Sequence, residues 1–348
     1  MTASALAAPR AQVAPPPEVA ATNSPTTTPF AGVAIVIPCY RVERHIADVI
    51  RSIPPRYQTI ICVNDNSPDE TTKVIGALED PRVTLLRRET NGGVGAAVKT
   101  GYEEALRRGA RVIVKMDGDG QMSADDLDDL VAPLLDGSAD YTKGNRFVDT
   151  AALRQMPGVR LVGNAALSLA SKATSGYWNV LDVTNGFTAI RSQMLRRVDF
   201  SLLSDRYFFE TSLLTELNVA RARVTDVQMP ARYGDETSSM KISRVLMSFP
   251  LLLVKGSLRR FYRRYLIEDF GAVSVCALAG APLLAFGLCF GAWHWVQSFL
   301  TGVTATAGTV FVAALPIILG FQLMLAAVLL DVAASPSAKQ PRKRLQAT

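Results

Sequence analysis

The sequence holds two histidines, His45 and His294, and four cysteines among 348 residues. With so little imidazole and thiol, and no Cys-x-x-Cys spacing, zinc sites and a disulfide framework are excluded, and any metal is left to oxygen ligands. Cys39, Cys62, Cys276 and Cys289 read as buried free thiols of a reducing compartment. Residues 1–29 lack an apolar core long enough for a signal peptide; rich in Ala, Pro and Thr, they are expected to form a disordered tail with a cytoplasmic start. Charge is missing over the longest distance: no Asp, Glu, Lys or Arg occurs from Phe270 to Leu330. Since about 20 apolar residues span a bilayer, this run predicts a hairpin of two transmembrane helices, roughly 270–296 and 303–330. The net charge of +6 does not point to nucleic acid, because the basic residues bunch beside this apolar run, as suits a membrane surface.

The rest of the chain is organised around Val112-Ile113-Val114-Lys115-Met116-Asp117-Gly118-Asp119-Gly120-Gln121. The β-branched apolar run predicts a buried strand. Side chains two apart in extended chain point the same way, so Asp117 and Asp119 can face one hard divalent cation, with Gln121 continuing that face. A calcium EF-hand loop starting at Asp117 is excluded, because its sixth and twelfth positions hold Met122 and Asp128 instead of Gly and Glu. The alternative at this stage is a solvated turn, where Asp and Gly are common.

In chain order, Val33 to Ile37 reads as a buried strand stopped by Pro38, followed by a helix over 43–52. Thr59 to Val63 is a second strand running into the polar loop Asn64 to Asp69, Val83 to Leu86 is a third, and a helix covers 96–108. Strands alternating with helices predict an α/β fold with a mostly parallel, doubly wound sheet, whose ligands sit outside the carboxyl ends of the strands. Pro38, Tyr40, Asp65, Asp117 and Asp119 all fall just after strands and are expected to converge on one crevice. Asn91-Gly92-Gly93-Val94-Gly95 is neither a dinucleotide fingerprint nor a P-loop, since Val98 stands where both need a small residue. It is either a turn opening a helix or a close backbone approach to a nucleotide, with Lys99 reaching a phosphate.

Ser123 predicts an N-cap for an acidic helix whose Asp125, Asp126, Asp128 and Asp129 read as a solvated face. A short strand over 139–143, Gly144-Asn145-Arg146-Phe147, and an amphipathic segment over 159–174 follow; Arg146 and Arg160 carry the guanidinium fork suited to phosphate. Lys241 to Tyr265 mixes apolar residues with arginines and is expected to lie along the membrane as an amphipathic helix. Arg259, Arg260, Arg263 and Arg264 before the apolar run, and Lys339, Arg342, Lys343 and Arg344 after it, place both ends on the cytoplasmic side, with Trp293 and Trp295 at the far interface. The expected organisation is thus a tail 1–29, an α/β domain 30–240, a juxtamembrane segment 241–268, a membrane hairpin 269–331 that serves as an anchor, and a basic tail 332–348. Small residues such as Gly280 and Gly287 would permit a homo-oligomer.

These pieces together resemble family-two glycosyltransferases of the GT-A fold, in the polyprenyl-phosphate branch typified by dolichol-phosphate mannose synthase. The resemblance rests on Val36 to Tyr40, Val63 to Thr71, Asn91 to Ala97, Asp117 to Gln121, Gly144 to Phe147 and Thr184-Asn185-Gly186-Phe187, in the family's order across 32–245. It implies an inverting, metal-dependent transfer of a sugar from a nucleoside-diphosphate sugar to a polyprenyl phosphate at the cytoplasmic membrane, with Mg²⁺ or Mn²⁺. By position it implies that Pro38, Tyr40 and Asp65 contact the nucleoside, and Asp117 the nucleotide and metal. Asp119 and Gln121 would hold the metal that bridges the diphosphate. Arg146, Arg160 and Asn164 would receive the acceptor phosphate, and Asp119, Arg146 and Arg160 form the implied catalytic set. The chain departs from the pattern at Arg41-Val42, where the family has Asn-Glu, so that a nucleotide contact shifts to Glu43; Asn164 replaces a common Ser. Tyr233 to Lys241 resembles the family's segment leading to the membrane interface. A lipid phosphate is already ionised and needs no general base, which agrees with the shortage of histidine. Two alternatives stand beside this. A hydroxyl acceptor on a lipid or glycan would make Glu210 the candidate base, and a non-catalytic membrane scaffold would only bind the nucleotide sugar. The Gln-x-x-Arg-Trp motif of processive synthases is absent.

Overall fold

The structure, a computed structural model, describes residues 30–146, 158–183, 185–230 and 242–336, with the side chains of 158–166 and 242–248 left aside. The expected tail 1–29, Tyr233 to Lys241 and the second basic cluster from Lys339 onward lie outside these residues.

A seven-stranded sheet carries the fold. Its strands are β1 (Val33–Cys39), β2 (Thr59–Asn64), β3 (Val83–Arg87), β4 (Val112–Lys115), β5 (Tyr141–Asn145), β6 (Thr188–Arg191) and β7 (Val224–Gln228). Their order across the sheet is β3-β2-β1-β4-β6-β5-β7. All neighbours run parallel except β6, which is antiparallel to both β4 and β5. The expected mostly parallel sheet is present, with one reversed strand, β6, fifth in the order. Strand β1 shows why sequence alone placed it inside. Val33, Ile35, Ile37 and Cys39 feed one core and Ala34 and Val36 the other, so both faces are apolar, as a parallel strand covered by helices requires.

Pro38 does not stop this strand. It pairs in register with Val63 of β2, beyond the last partner β1 finds on β4, Lys115 opposite Val36, so its missing N–H falls where β4 has already turned away.

Helices α1 (Ile46–Ser52), α2 (Thr71–Gly76) and α4 (Leu127–Leu135) cover one face; α3 (Val94–Arg107) and α7 (Phe209–Val219) cover the other. Helix α5 (Gly158–Ser175) and the short α6 (Ser192–Leu195) complete the domain. A 3₁₀ turn, Ala124–Asp126, precedes α4 and is capped by Ser123 Oγ, which accepts the Asp125 N–H at 3.3 Å. The acidic face here is not simply solvated. Asp128 accepts from Arg56 Nε at 3.1 Å and from Tyr57 Oη at 2.7 Å.

Helix α8 (Ile242–Phe261) runs into a π-helical stretch, Tyr262–Glu268. Two long helices follow, α9 (Ala272–Thr301) and α10 (Ala307–Ala333), each long and apolar enough to cross a membrane. Two features of this region appear only in the structure. First, the arginines at the end of α8 and in the π-helical stretch are held by the domain. Arg260 and Arg264 are buried, and Arg259 and Arg263 both pair with buried Glu216 of α7. Second, the small residues serve the hairpin itself. A Cβ on Gly280 would lie 2.9 Å from Leu323 Cβ, one on Gly287 2.8 Å from Ala313 O, and one on Gly320 2.5 Å from Leu284 N. These glycines let α9 and α10 touch backbone to backbone, the usual use of small residues between membrane helices. Cys289, expected to be buried, is exposed on the outer surface of α9.

Candidate active site

The loops after β1, β2 and β4 meet, as the strand order demands, along one crevice. A cavity of about 550 Å³ is lined there by Pro38, Tyr40, Asp65, Gly93, Asp117 and Asp119. Its opposite wall comes from helices: Leu167 and Ser171 of α5, Thr211 of α7 and Phe249 of α8, with Tyr207 and Glu210 at the start of α7. A second cavity, of about 130 Å³, is lined by Asp117, Asp119, Gln121, Asp126, Arg146 and Asn185. Asp117, Asp119 and Gly186 belong to both, so the acidic pair forms the partition between them.

Lys115, the last residue of β4, is buried beneath that partition. Its Nζ donates to Asp117 Oδ1 at 2.8 Å and to Gly186 O at 3.2 Å, and lies 3.3 Å from Glu210 Oε1. Burial opposes the charge, but the carboxylates of Asp117 and Glu210 outweigh it and hold Lys115 above the ordinary lysine range. Sequence reading passed over Lys115; the signal was a lone cation inside an apolar strand run, where a charge persists only with partners.

Asp65 is nearly saturated. It accepts from Arg88 Nε at 2.9 Å, Gly92 N at 3.0 Å and Gly93 N at 2.7 Å. The carboxylate thus pins the glycine turn to the end of β2 while remaining part of the cavity wall. The glycines themselves make room for the chain. A Cβ on Gly95 would lie 2.2 Å from Ser204 O, and Ala96 N donates to Asp205 O at 3.0 Å. The stretch forms the turn that opens α3, and Asn91, Gly93 and Val94 also line the larger cavity. Lys99 turns to Asp205 Oδ1 at 2.5 Å and is absent from both cavity linings.

Glu43 also stands apart. Its Oε2 accepts the Glu70 N–H at 2.9 Å at the start of α2, and it lines a separate surface cavity with Arg44 and His45. The carboxylate closes one loop onto another instead of reaching the crevice. Arg146 does reach the smaller cavity, its direction fixed by Asp182: Nε donates to Oδ2 at 2.8 Å and Nη2 to Oδ1 at 3.2 Å. Arg160 and Asn164 fall on the α5 backbone, and their side chains lie outside the described residues.

Two further titratable groups lie on the neighbouring strands β5 and β7, Lys143 fully buried and Asp226 partly so. Lys143 donates to Asn185 O, and burial pushes its pKa down to about 8. Burial raises Asp226 to about 6.

The donor set suits a hard cation. Asp117, Asp119 and Gln121 offer only oxygen and line one cavity; Asp117 Oδ1 is engaged by Lys115, and Asp119 Oδ1 accepts the Gln121 N–H at 3.0 Å. Among the described residues no group of three or more His, Cys, Asp or Glu is placed to hold a metal. Two carboxylates and an amide fit a cation that completes its shell with water and substrate phosphate, the habit of Mg²⁺.

The sequence has relatives among known proteins. The sequence model described as Glycosyl transferase family 2 matches residues 34–199. The UDP-N-acetylglucosamine–dolichyl-phosphate N-acetylglucosaminyltransferase of Methanococcus voltae is 28% identical over 232 residues, 62% of this chain and 92% of the relative. The polyprenol monophosphomannose synthase of Mycolicibacterium smegmatis is 31% identical over 195 residues, covering 54% and 72% of the two chains. The undecaprenyl-phosphate mannosyltransferase of Micrococcus luteus is 31% identical over 188 residues, covering 53% and 75%. The chain belongs to glycosyltransferase family 2.

Proposed function

We propose that this protein transfers a sugar from a nucleoside-diphosphate sugar to a polyprenyl phosphate, by single displacement with inversion. One observation carries the reading: Asp117 and Asp119 form the wall between a larger cavity, with Pro38, Tyr40 and Asp65 at one end, and a smaller one that holds Gln121 and Arg146. The nucleoside takes the end at Pro38, Tyr40 and Asp65, and its diphosphate reaches the partition. Asp117, Asp119 and Gln121 would hold Mg²⁺ or Mn²⁺, which when bound supplies positive charge against the leaving diphosphate. Arg146, aimed by Asp182, faces an acceptor phosphate, with Arg160 and Asn164 assigned to the same phosphate by sequence position. Leu167 of α5 and Phe249 of α8 give the larger cavity an apolar side that suits the first carbons of a lipid tail. Three relatives act, by name, on dolichyl, polyprenyl and undecaprenyl phosphates, which supports the acceptor class. With two spans, the chain returns to the side it started from, and we place the domain and both ends at the cytoplasmic face.

A hydroxyl acceptor would need a base. Glu210, the candidate, faces the ammonium of buried Lys115, an arrangement that occupies the carboxylate structurally and favours the phosphate reading. The test is to incubate detergent-purified protein with undecaprenyl phosphate, Mg²⁺ or Mn²⁺ and a panel of UDP- and GDP-sugars, following nucleotide release and lipid product by mass spectrometry. A glycosyl phospholipid product is expected with one donor. Nucleotide release without lipid product would overturn the acceptor assignment; lipid product in EDTA would overturn the metal.

A further inference from the structure

Asp331 is the first charged residue after the long uncharged run, and it is buried. A carboxylate at the end of a membrane span is costly and is tolerated where partners hold it. Here Arg260 Nη1 and Nη2 donate to its two oxygens at 2.7 and 2.9 Å, Trp178 Nε1 donates to Oδ2 at 3.2 Å, and Tyr265 Oη donates to Oδ1. Arg260 Nη2 donates in addition to Ala173 O at 3.1 Å. Gly176, at φ +74°, leaves Arg260 its space; a Cβ there would sit 2.4 Å from Nη1.

Asp331 therefore joins the last turn of α10 to the end of α8, its π-helical stretch and the loop just after α5, and Arg260 extends the contact to the last turns of α5. Both α5 and α8 wall the larger cavity, through Leu167, Ser171 and Phe249. A helix that only tethers a domain needs apolar length; a bidentate buried pair into the domain adds nothing to tethering. It does add orientation, because the planar guanidinium–carboxylate fork fixes angle as well as distance.

We propose that Asp331 is a positioning residue. It locks the hairpin to the two helices that wall the crevice, so that an acceptor embedded in the bilayer meets the site at one height and angle. The proposal rests on the polyprenyl-phosphate reading and gives the hairpin a part in it beyond anchorage. Asp331 touches no substrate; it acts through Arg260 and Trp178.

The experiment uses the full chain in vesicles of phosphatidylethanolamine and phosphatidylglycerol. Undecaprenyl phosphate in the bilayer is compared with water-soluble geranyl phosphate, for wild type, Asp331→Asn and Asp331→Glu. In Asp331→Asn, kcat/KM for undecaprenyl phosphate should fall by about tenfold or more, the scale of a small misplacement. Turnover of geranyl phosphate and nucleotide-sugar binding should stay as in wild type, and Asp331→Glu should recover part of the loss. Equal losses with both acceptors, or no loss with either, would overturn the proposal. If Asp331→Asn does not fold, Trp178→Phe removes one donor and leaves the Arg260 pair, and a smaller loss confined to the long acceptor is expected. Wild type inactive on both acceptors would fail the acceptor reading instead. The lock is then judged by fluorescence of Trp178 in a Trp293→Phe, Trp295→Phe background: Asp331→Asn should shift its emission, and an unchanged spectrum overturns the lock.

Discussion

The two walls of the crevice are built by different means. On the donor wall each residue follows a strand directly: Pro38 within the end of β1, Asp65 after β2, Asp117 after β4. On the opposite wall the residues sit on α5, α7 and α8, and these helices are tied by ion pairs between distant parts of the chain, such as Arg259 and Arg263 with Glu216 and Arg260 with Asp331. Strand order alone brings the first set together. The second set needs tertiary contacts to exist before any residue is in place. The lesson is that one wall is fixed by backbone topology and the other by buried charge, with Lys115 joining them.

Lys115→Met tests that junction most severely. It leaves Asp117 and Glu210 without their shared cation, a broken buried pair that costs about 3–5 kcal/mol, and both the melting temperature and donor affinity should drop. An unchanged melt would mean the walls are independent. Asp119→Ala should separate them: the donor wall loses a charge-bearing group, kcat falls by about 10²–10³-fold as for other electrostatic stabilisers, and the melt stays put. If the melt falls with activity, the motif is structural and the contrast dissolves.

Lys143 probes the charge-built wall through pH. Its pKa of about 8 lies below that of an unfolded lysine, so between about pH 8 and 10 the unfolded chain binds the extra proton and stability rises with pH. The gain is on the order of 3 kcal/mol at most, seen as a melting temperature that climbs in this window and is flatter in Lys143→Met. A wild-type slope no steeper than the variant's would remove Lys143 from the account. Arg88→Ala is the mildest test, on the backbone-built wall. Asp65 keeps its two amide donors, so the cost is about 1–3 kcal/mol, and donor KM should rise with kcat little changed. A fall in kcat with KM constant would show Arg88 acting in the transition state.

The same contrast explains what the sequence made legible. The strands, the crevice and the Asp117–Asp119–Gln121 set follow from local pattern, because a strand end fixes where the next residue points. The contacts of Glu43 and Lys99 were not legible, because their partners, the Glu70 amide and Asp205, are set by loop packing that no local spacing reveals. The partners of Arg259, Arg260, Arg263 and Arg264 were hidden for a related reason: the charge bias beside an apolar run is local, whereas Glu216, Asn218 and Asp331 are distant in sequence. A lone Asp closing an uncharged run was the one visible hint, and it pointed inward.

The Asp331 contact also governs how the molecule can be shortened. Ending the chain before Ala272 removes the carboxylate and leaves Arg260, with its guanidinium half-satisfied by Ala173 O, in a site lined by Trp178 and Tyr265. A water-soluble version therefore calls for repair as well as truncation: Arg260 replaced by a neutral residue of similar length, such as Met, and a polar substitute for the face of α8 that α10 leaves bare.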